Sequence, residues 1–206
     1  MKKTVFITGL LYCSTALAQT IPNGDFKKWD PETHCPASWN CNNDADCKGK
    51  ITPADKIKGG AQLTIMHCFD PEKDDRSNNV NISYDDLSAK IPKGKKVKIS
   101  LEYSFAPVAG DVAYIKIDAD FDEEINNGFP QFTYDGSDNG ILKPGSNIKL
   151  ACYLNFDPAH AKTYTAPQAC TASSIRTTLG IMPATGGTDV HKGTTLIINH
   201  VKFELE

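Results

Sequence analysis

Between Val97 and Phe105 the chain alternates without a break. Val97, Ile99, Leu101, Tyr103 and Phe105 are apolar or aromatic, and Lys98, Ser100, Glu102 and Ser104 stand between them. Successive side chains of an extended chain point to opposite faces, so this period of two buries one set and wets the other only as a strand. Wound as a helix, the same residues would spread their apolar set around the whole circumference. The pattern recurs. Ile115, Ile117, Ala119 and Phe121 alternate with Tyr114, Lys116, Asp118, Asp120 and Asp122. Ile148, Leu150, Cys152, Leu154 and Phe156 are expected to face inward, with Lys149, Tyr153 and Asn155 outside. Strands are predicted over 62–66, 80–84, 96–105, 111–121, 147–156, 175–182 and 194–205. Turn residues such as Lys93-Gly94, Asn126-Asn127-Gly128, Asp135-Gly136-Ser137 and Gly186-Gly187 separate them. No stretch has the period of an amphipathic helix, and the expected fold is all-β: a single disulfide-bonded β-sandwich (jelly roll) of two antiparallel sheets.

Residues 1–18 read as a signal peptide. Lys2 and Lys3 precede an apolar run from Val5 to Leu11, and Ala16-Leu17-Ala18 is a small-x-small cleavage site, placing the cut near Ala18-Gln19 and the single domain at 19–206. The apolar run falls far short of the roughly 20 residues that span a bilayer, so the expectation is an exported chain, secreted or periplasmic, with no membrane insertion. Lipid anchoring through Cys13 is the alternative, and bulky Tyr12 opposes it. Loss of Lys2 and Lys3 moves the formal charge from -3 to -5, which argues against nucleic acid as a partner.

Six cysteines remain after the leader: Cys35, Cys41, Cys47, Cys68, Cys152 and Cys170. An even count in an exported chain reads as disulfides, grouped here as Cys152 with Cys170 and two bridges among the early four. The rival is a zinc site using His34, Cys35, Cys41, Cys47, His67 and Cys68, whose spacing fits no paired-cysteine knuckle.

Four short segments, taken in order, suggest a family. They are Asn23-Gly24-Asp25-Phe26 with Trp29 and Trp39, then Gly59-Gly60-Ala61-Gln62-Leu63, then Ile91-Pro92-Lys93-Gly94 leading into 95–100, and finally Leu196-Ile197-Ile198-Asn199-His200-Val201. In this order the chain resembles the carbohydrate-binding modules with a galactose-binding-like jelly roll. The resemblance implies a non-catalytic, lectin-like protein that binds a carbohydrate or glycoconjugate. Members of that family often hold a structural calcium with an acid of the first strand and an aspartate of the last. Those positions match Lys27 and Asn199 here, so no calcium is expected there; Asp25 is expected to organise the first turn.

A jelly roll grips sugar with aromatic rings and with planar polar groups. The residues expected to do so are Glu102, Tyr114, Asp118, Tyr153, Asn155 and Arg176, with Lys116 beside them, while Trp29 and Trp39 are expected to close the bottom of the sandwich. Asp118, Asp120 and Asp122 would share one strand face, where a cation such as calcium could relieve their repulsion, although Glu123 and Phe129 exclude an EF-hand. No cofactor is otherwise implied.

Motifs for catalysis are missing: no Gly-x-Ser-x-Gly elbow, no His-Glu-x-x-His pair, no phosphate-binding glycine loop. The chain is therefore read as no enzyme. Two alternatives stand beside sugar binding. One is a secreted interaction or virulence-type protein that binds a host or surface protein through the same sandwich. The other is a small glycosidase, for which Glu102 with Asp118 is the carboxylate pair to test.

Overall fold

The computed structural model describes residues 20–43, 49–55, 58–66, 80–122, 140–157, 163–182 and 191–206. One sheet runs in the order β1 (Asn40–Asn43), β4 (Val80–Ile91), β9 (Cys170–Met182), β6 (Val112–Phe121), β7 (Ile141–Leu142). The other runs β2 (Gly49–Asp55), β3 (Gly59–Ile65), β10 (Thr195–Leu205), β5 (Val97–Ala106), β8 (Gly145–Tyr153). Every pairing is antiparallel. Apart from the β2–β3 hairpin and the β6–β7 pair, neighbours in each sheet are distant in sequence, so the chain crosses repeatedly between layers, as a jelly roll requires. The all-β sandwich expected from the alternation is the fold observed.

The alternation sets the layers. The odd set from Val97 to Phe105 is buried, as are Ile115, Ile117 and Ala119 on β6 and Leu179 and Ile181 on β9. Between the sheets they form one apolar core with Phe156, Phe203 and Leu63. Several expectations about the strands need correction. Strands β1, β2 and β7 were not legible, because Asn, Gly, Lys and Pro dominate the first two and the third is two residues long. β4 continues past residue 84, with register irregularities between Tyr84 and Ala89 marking where its inward set changes parity. Asn155 does not face solvent: it is 6 % exposed, and its Oδ1 accepts from the N–H groups of Asp157 (3.1 Å) and Thr163 (2.8 Å), bracing the loop after β8.

The segments that prompted the family resemblance meet in space. Val201 N–H donates to Gly24 O, and Gly60 N–H donates to Asp25 O, both at 2.8 Å, so the first turn is stitched to the last strand and to the start of β3. A side chain at Gly24 would run into the carbonyl oxygen of Val201. Asn23 closes the turn, with its amide donating to Lys28 O (2.7 Å) and Ala37 O (3.0 Å) and its Oδ1 accepting from Lys28 N–H (2.9 Å). Phe26 takes φ 54°, unusual for a bulky residue, and recovers that cost by complete burial against Trp39, with ring centroids 4.9 Å apart. Trp39 in turn leans on Tyr84 at 5.8 Å. Trp29 is half-buried and donates its indole N–H to Phe26 O at 2.7 Å. Both tryptophans therefore close the end of the sandwich. Asp25 pairs with Lys27 at 2.9 Å, which holds its carboxyl below the ordinary range.

Cys35 and Cys41 form a disulfide beside this first segment. Cys152 and Cys170 are buried as thiols, Cys152 on β8 opposite Ile99 and Cys170 on β9 opposite Ile91, so the bridge expected between them is corrected. Their strands belong to different sheets, which nearness along the sequence did not reveal. Cys47 and Cys68 lie outside the described residues, as do the turns at 126–128, 135–137 and 186–187.

Candidate functional site

The six residues expected to form one ligand site are divided between two faces of the molecule. Tyr114, Asp118 and Arg176 stand on the outer face of the β1-β4-β9-β6-β7 sheet, with Lys116. Glu102 and Tyr153 stand on the outer face of the other sheet, and Asn155 is in the loop that follows it. Alternation gives the parity of each strand but not which sheet it joins. The carboxylates of Glu102 and Asp118 are thus on opposite outer faces, and that pair does not form a glycosidase cleft.

On the β5–β8–β10 face, strand register arranges side chains in three rows. His200, Glu102 and Lys149 are opposite one another across the three strands. Lys202, Ser100 and Ala151 make the next row, and Glu204, Lys98 and Tyr153 the third. Long side chains in the outer rows and small ones at Ser100 and Ala151 in the middle leave an open groove of about 410 Å³. Of its lining, only Glu102 was anticipated as a binding residue; Lys98, Ser100 and Lys149 were expected merely to face outward and His200 stood in the last-strand segment, and only the register brings these residues together.

Electrostatics differ between the two ends of the groove. At the Lys98 end the charges are committed. Lys98 Nζ is 2.6 Å from Glu206 Oε1 and 3.4 Å from Glu204 Oε2, and Lys202 Nζ is 2.5 Å from Glu204 Oε1. The hydrogen bond to Glu206 raises the ammonium pKa of Lys98, Lys202 lowers that of Glu204, and Lys98 lowers that of Glu206. Ser100 Oγ donates to Glu204 at 3.2 Å. Tyr153 belongs to this end: its hydroxyl donates to Glu206 Oε2 (3.2 Å), Lys96 Nζ lies 5.2 Å over its ring, and Tyr164 packs beside it with centroids 6.0 Å apart. The other end is loose. Lys149 Nζ reaches only to 4.0 Å from Glu102 Oε2, its side chain is 83 % exposed, and His200 is exposed on the far side of Glu102.

The opposite face is tighter. Arg176 lies between Asp118, its cross-strand partner on β6, and Asp85 on β4, whose Oδ1 is 3.4 Å from Nε. Asn40 Nδ2 donates to the other oxygen of Asp85 at 3.1 Å. Asp118 is 7 % exposed; burial pushes its carboxyl pKa up, against the pull of Lys116, whose Nζ is 3.2 Å from Oδ2. Asp118 Oδ1 is buried without a hydrogen bond. The ring of Tyr114 lies over Gly180, where a Cβ would meet its Cε1 and hydroxyl at 2.8 Å. Asp120 is exposed on the same face of β6, and Asp122 falls just beyond the strand. Among the described residues no three His, Cys, Asp or Glu side chains are grouped so as to hold a metal ion, and the cation expected on Asp118, Asp120 and Asp122 finds no such group. Large apolar side chains exposed among the described residues are Met66 and Val108. No helix of the described residues is long and apolar enough to cross a membrane.

The strand pairing defines a two-sheet β-sandwich with an open groove on one outer face. No protein-family model matches the chain, and no curated protein matches it. Among solved structures it is similar to the TmCBM61 carbohydrate-binding module in complex with beta-1,4-galactotriose, with 10% identity, 90% of this chain and 97% of that one covered, and a TM-score of 0.45. It is similar to the CBM22-1 xylan-binding domain from Paenibacillus barcinonensis Xyn10C at 13% identity, with 91% and 92% covered and a TM-score of 0.45. The enzymatically active domain of bacteriophage CBA120 tailspike protein 4 matches at 10% identity over 90% of this chain and 21% of that one, with a TM-score of 0.47. Likenesses of this degree carry nothing about ligand or chemistry; the sandwich rests on its own strand pairing.

Proposed function

We propose that this protein is a non-catalytic carbohydrate-binding β-sandwich, exported and cleaved near Ala18-Gln19, and that its ligand lies in the groove across β5, β8 and β10. The observation that carries the reading is the three-row arrangement: a trough floored by Ser100 and Ala151, with Glu102, Lys149 and His200 aligned along one wall. A chain of sugar rings presents hydroxyl groups at regular spacing. Rigid strands that place acceptors and donors at fixed positions meet that pattern without reorganisation. Being open, the groove suits an extended polymer better than a small enclosed ligand.

The test is a glycan-array screen of the folded protein beside its Ala151→Phe variant. Ala151 faces outward from an edge strand, so a ring there fills the trough and spares the core. Binding that falls by about tenfold or more in the variant supports the reading, since a blocked trough loses its contacts together. Reproducible binding untouched by Ala151→Phe moves the site to another face. Silence from both proteins across a broad array rejects sugar as the ligand.

A further inference from the structure

The geometry points to an acidic saccharide, one bearing carboxylate or sulfate groups, as the ligand of the β5–β8–β10 groove; this rests on the carbohydrate-binding reading. Two features separate such a ligand from a neutral sugar. First, among the described residues no Phe, Tyr or Trp ring lines the trough, and the ring that does is the small polar imidazole of His200. Neutral sugars are held largely by stacking their apolar faces on broad rings such as Trp and Tyr, and here the Tyr153 ring, at the far end, is engaged by Lys96, Tyr164 and Glu206. Trp29 and Trp39 belong to the end of the sandwich and are absent from the groove. Recognition must therefore come from polar and charged groups.

Second, the charges are unevenly used. Lys98 and Lys202 are consumed by Glu204 and Glu206 at contact distance. Lys149 is held at 4.0 Å from Glu102, the outer edge of an ion pair, and most of its side chain is in solvent. An incoming anion therefore meets an ammonium that gives up little to accept it. Glu102, between Lys149 and His200 in register, is an acceptor for sugar hydroxyls and repels bare anion density. The row thus calls for hydroxyl groups and a separated negative charge on one ligand. Acidic saccharides combine the two, and a nucleic-acid strand, with its dense phosphates beside Glu102, does not.

The test is a calorimetric titration of the full protein with four polymers: polygalacturonate, chondroitin sulfate, neutral galactan and single-stranded DNA. The expected result is that one or both acidic polysaccharides bind at least about tenfold more tightly than galactan or DNA at low salt. That binding should weaken severalfold near 0.5 M salt, where exposed charges are screened within about 5 Å. Lys149→Glu should lower affinity about tenfold by exchanging attraction for repulsion, while Lys90→Gln, on β4 of the other sheet, should leave it unchanged. Preference for galactan overturns the acidic assignment and leaves carbohydrate binding standing. Equal binding of DNA, or acidic binding indifferent to Lys149→Glu, also overturns it. Failure of all four polymers, together with a silent glycan array, removes the underlying reading.

Discussion

Nδ1 of His191 lies 2.8 Å from Oδ1 of Asp111, joining positions 80 residues apart in the chain. The other carboxylate oxygen accepts from the backbone N–H of His191 at 2.7 Å and from the hydroxyl of Thr194. That hydroxyl also accepts from Val108 N–H at 2.9 Å. The side chain of Asp111 is wholly buried, so a carboxylate here is tolerable only because every neighbour donates to it. Together these bonds fasten the turn after β5 to the turn before β10.

Replacing Asp111 by Asn turns one acceptor into a donor facing donors. The expected loss is about 2–3 kcal/mol of unfolding free energy, read as a lowered urea midpoint at unchanged slope. An unaltered midpoint would mean that the clasp is dispensable. Thr194→Val removes one donor and one acceptor together and should cost about 1–3 kcal/mol.

Gly24→Ala should be among the most damaging single-methyl additions in the chain. The new Cβ collides with the carbonyl of Val201, a backbone atom in the last strand, and relieving the clash breaks the Val201 to Gly24 hydrogen bond. A loss above about 3 kcal/mol, or failure to fold, is expected in thermal or urea denaturation. Ala at Gly94, where nothing lies within 4 Å, meets only the strain of its positive φ and should cost about 1 kcal/mol.

Asp118 gives a pH-dependent prediction of defined sign. Its carboxyl ionises less readily in the folded protein than in the unfolded chain because it is buried. The native state therefore binds that proton more tightly, and the contribution of Asp118 to stability declines as pH rises above the ordinary carboxylate range. Asp118→Asn should be more stable than the parent at neutral pH by under about 1 kcal/mol, with the difference closing as pH falls to about 4. Denaturation at two pH values decides it, and a variant less stable at neutral pH would show that Lys116 outweighs burial.

The Cys35–Cys41 bridge closes a short loop, so its removal in a Cys35→Ser, Cys41→Ser double variant should cost about 2 kcal/mol. Equal melting temperatures for variant and parent would contradict this.

The sandwich was legible from its alternation because a period of two leaves the chain few other ways to bury Val97, Ile99 and Leu101. The first-turn and last-strand segments were legible as separate marks, and their contact through Gly24 and Val201 gives the physical cause of that pairing. What the sequence did not disclose is anything set by register between strands distant in the chain. Glu102 could be named as an outward acid, but His200 and Lys149 beside it required knowing that β10 and β8 flank β5. The same ignorance merged Glu102 with Asp118, which the fold separates by the whole thickness of the core. Asn155 failed for another reason: strand parity was extended past the end of β8, into a loop where backbone amides claimed its side chain.

Among the described strands β10 comes last in sequence, and it is the middle strand of its sheet. Until residues 195–205 have left the ribosome, β3 and β5 have no partner on their facing edges, and the turn at Gly24 has no strand to close against. The sheet therefore cannot assemble progressively from its first residues. Contacts between residues as far apart as Gly24 and Val201 must form together, which predicts slow, concerted folding and an exposed pair of strand edges until β10 emerges.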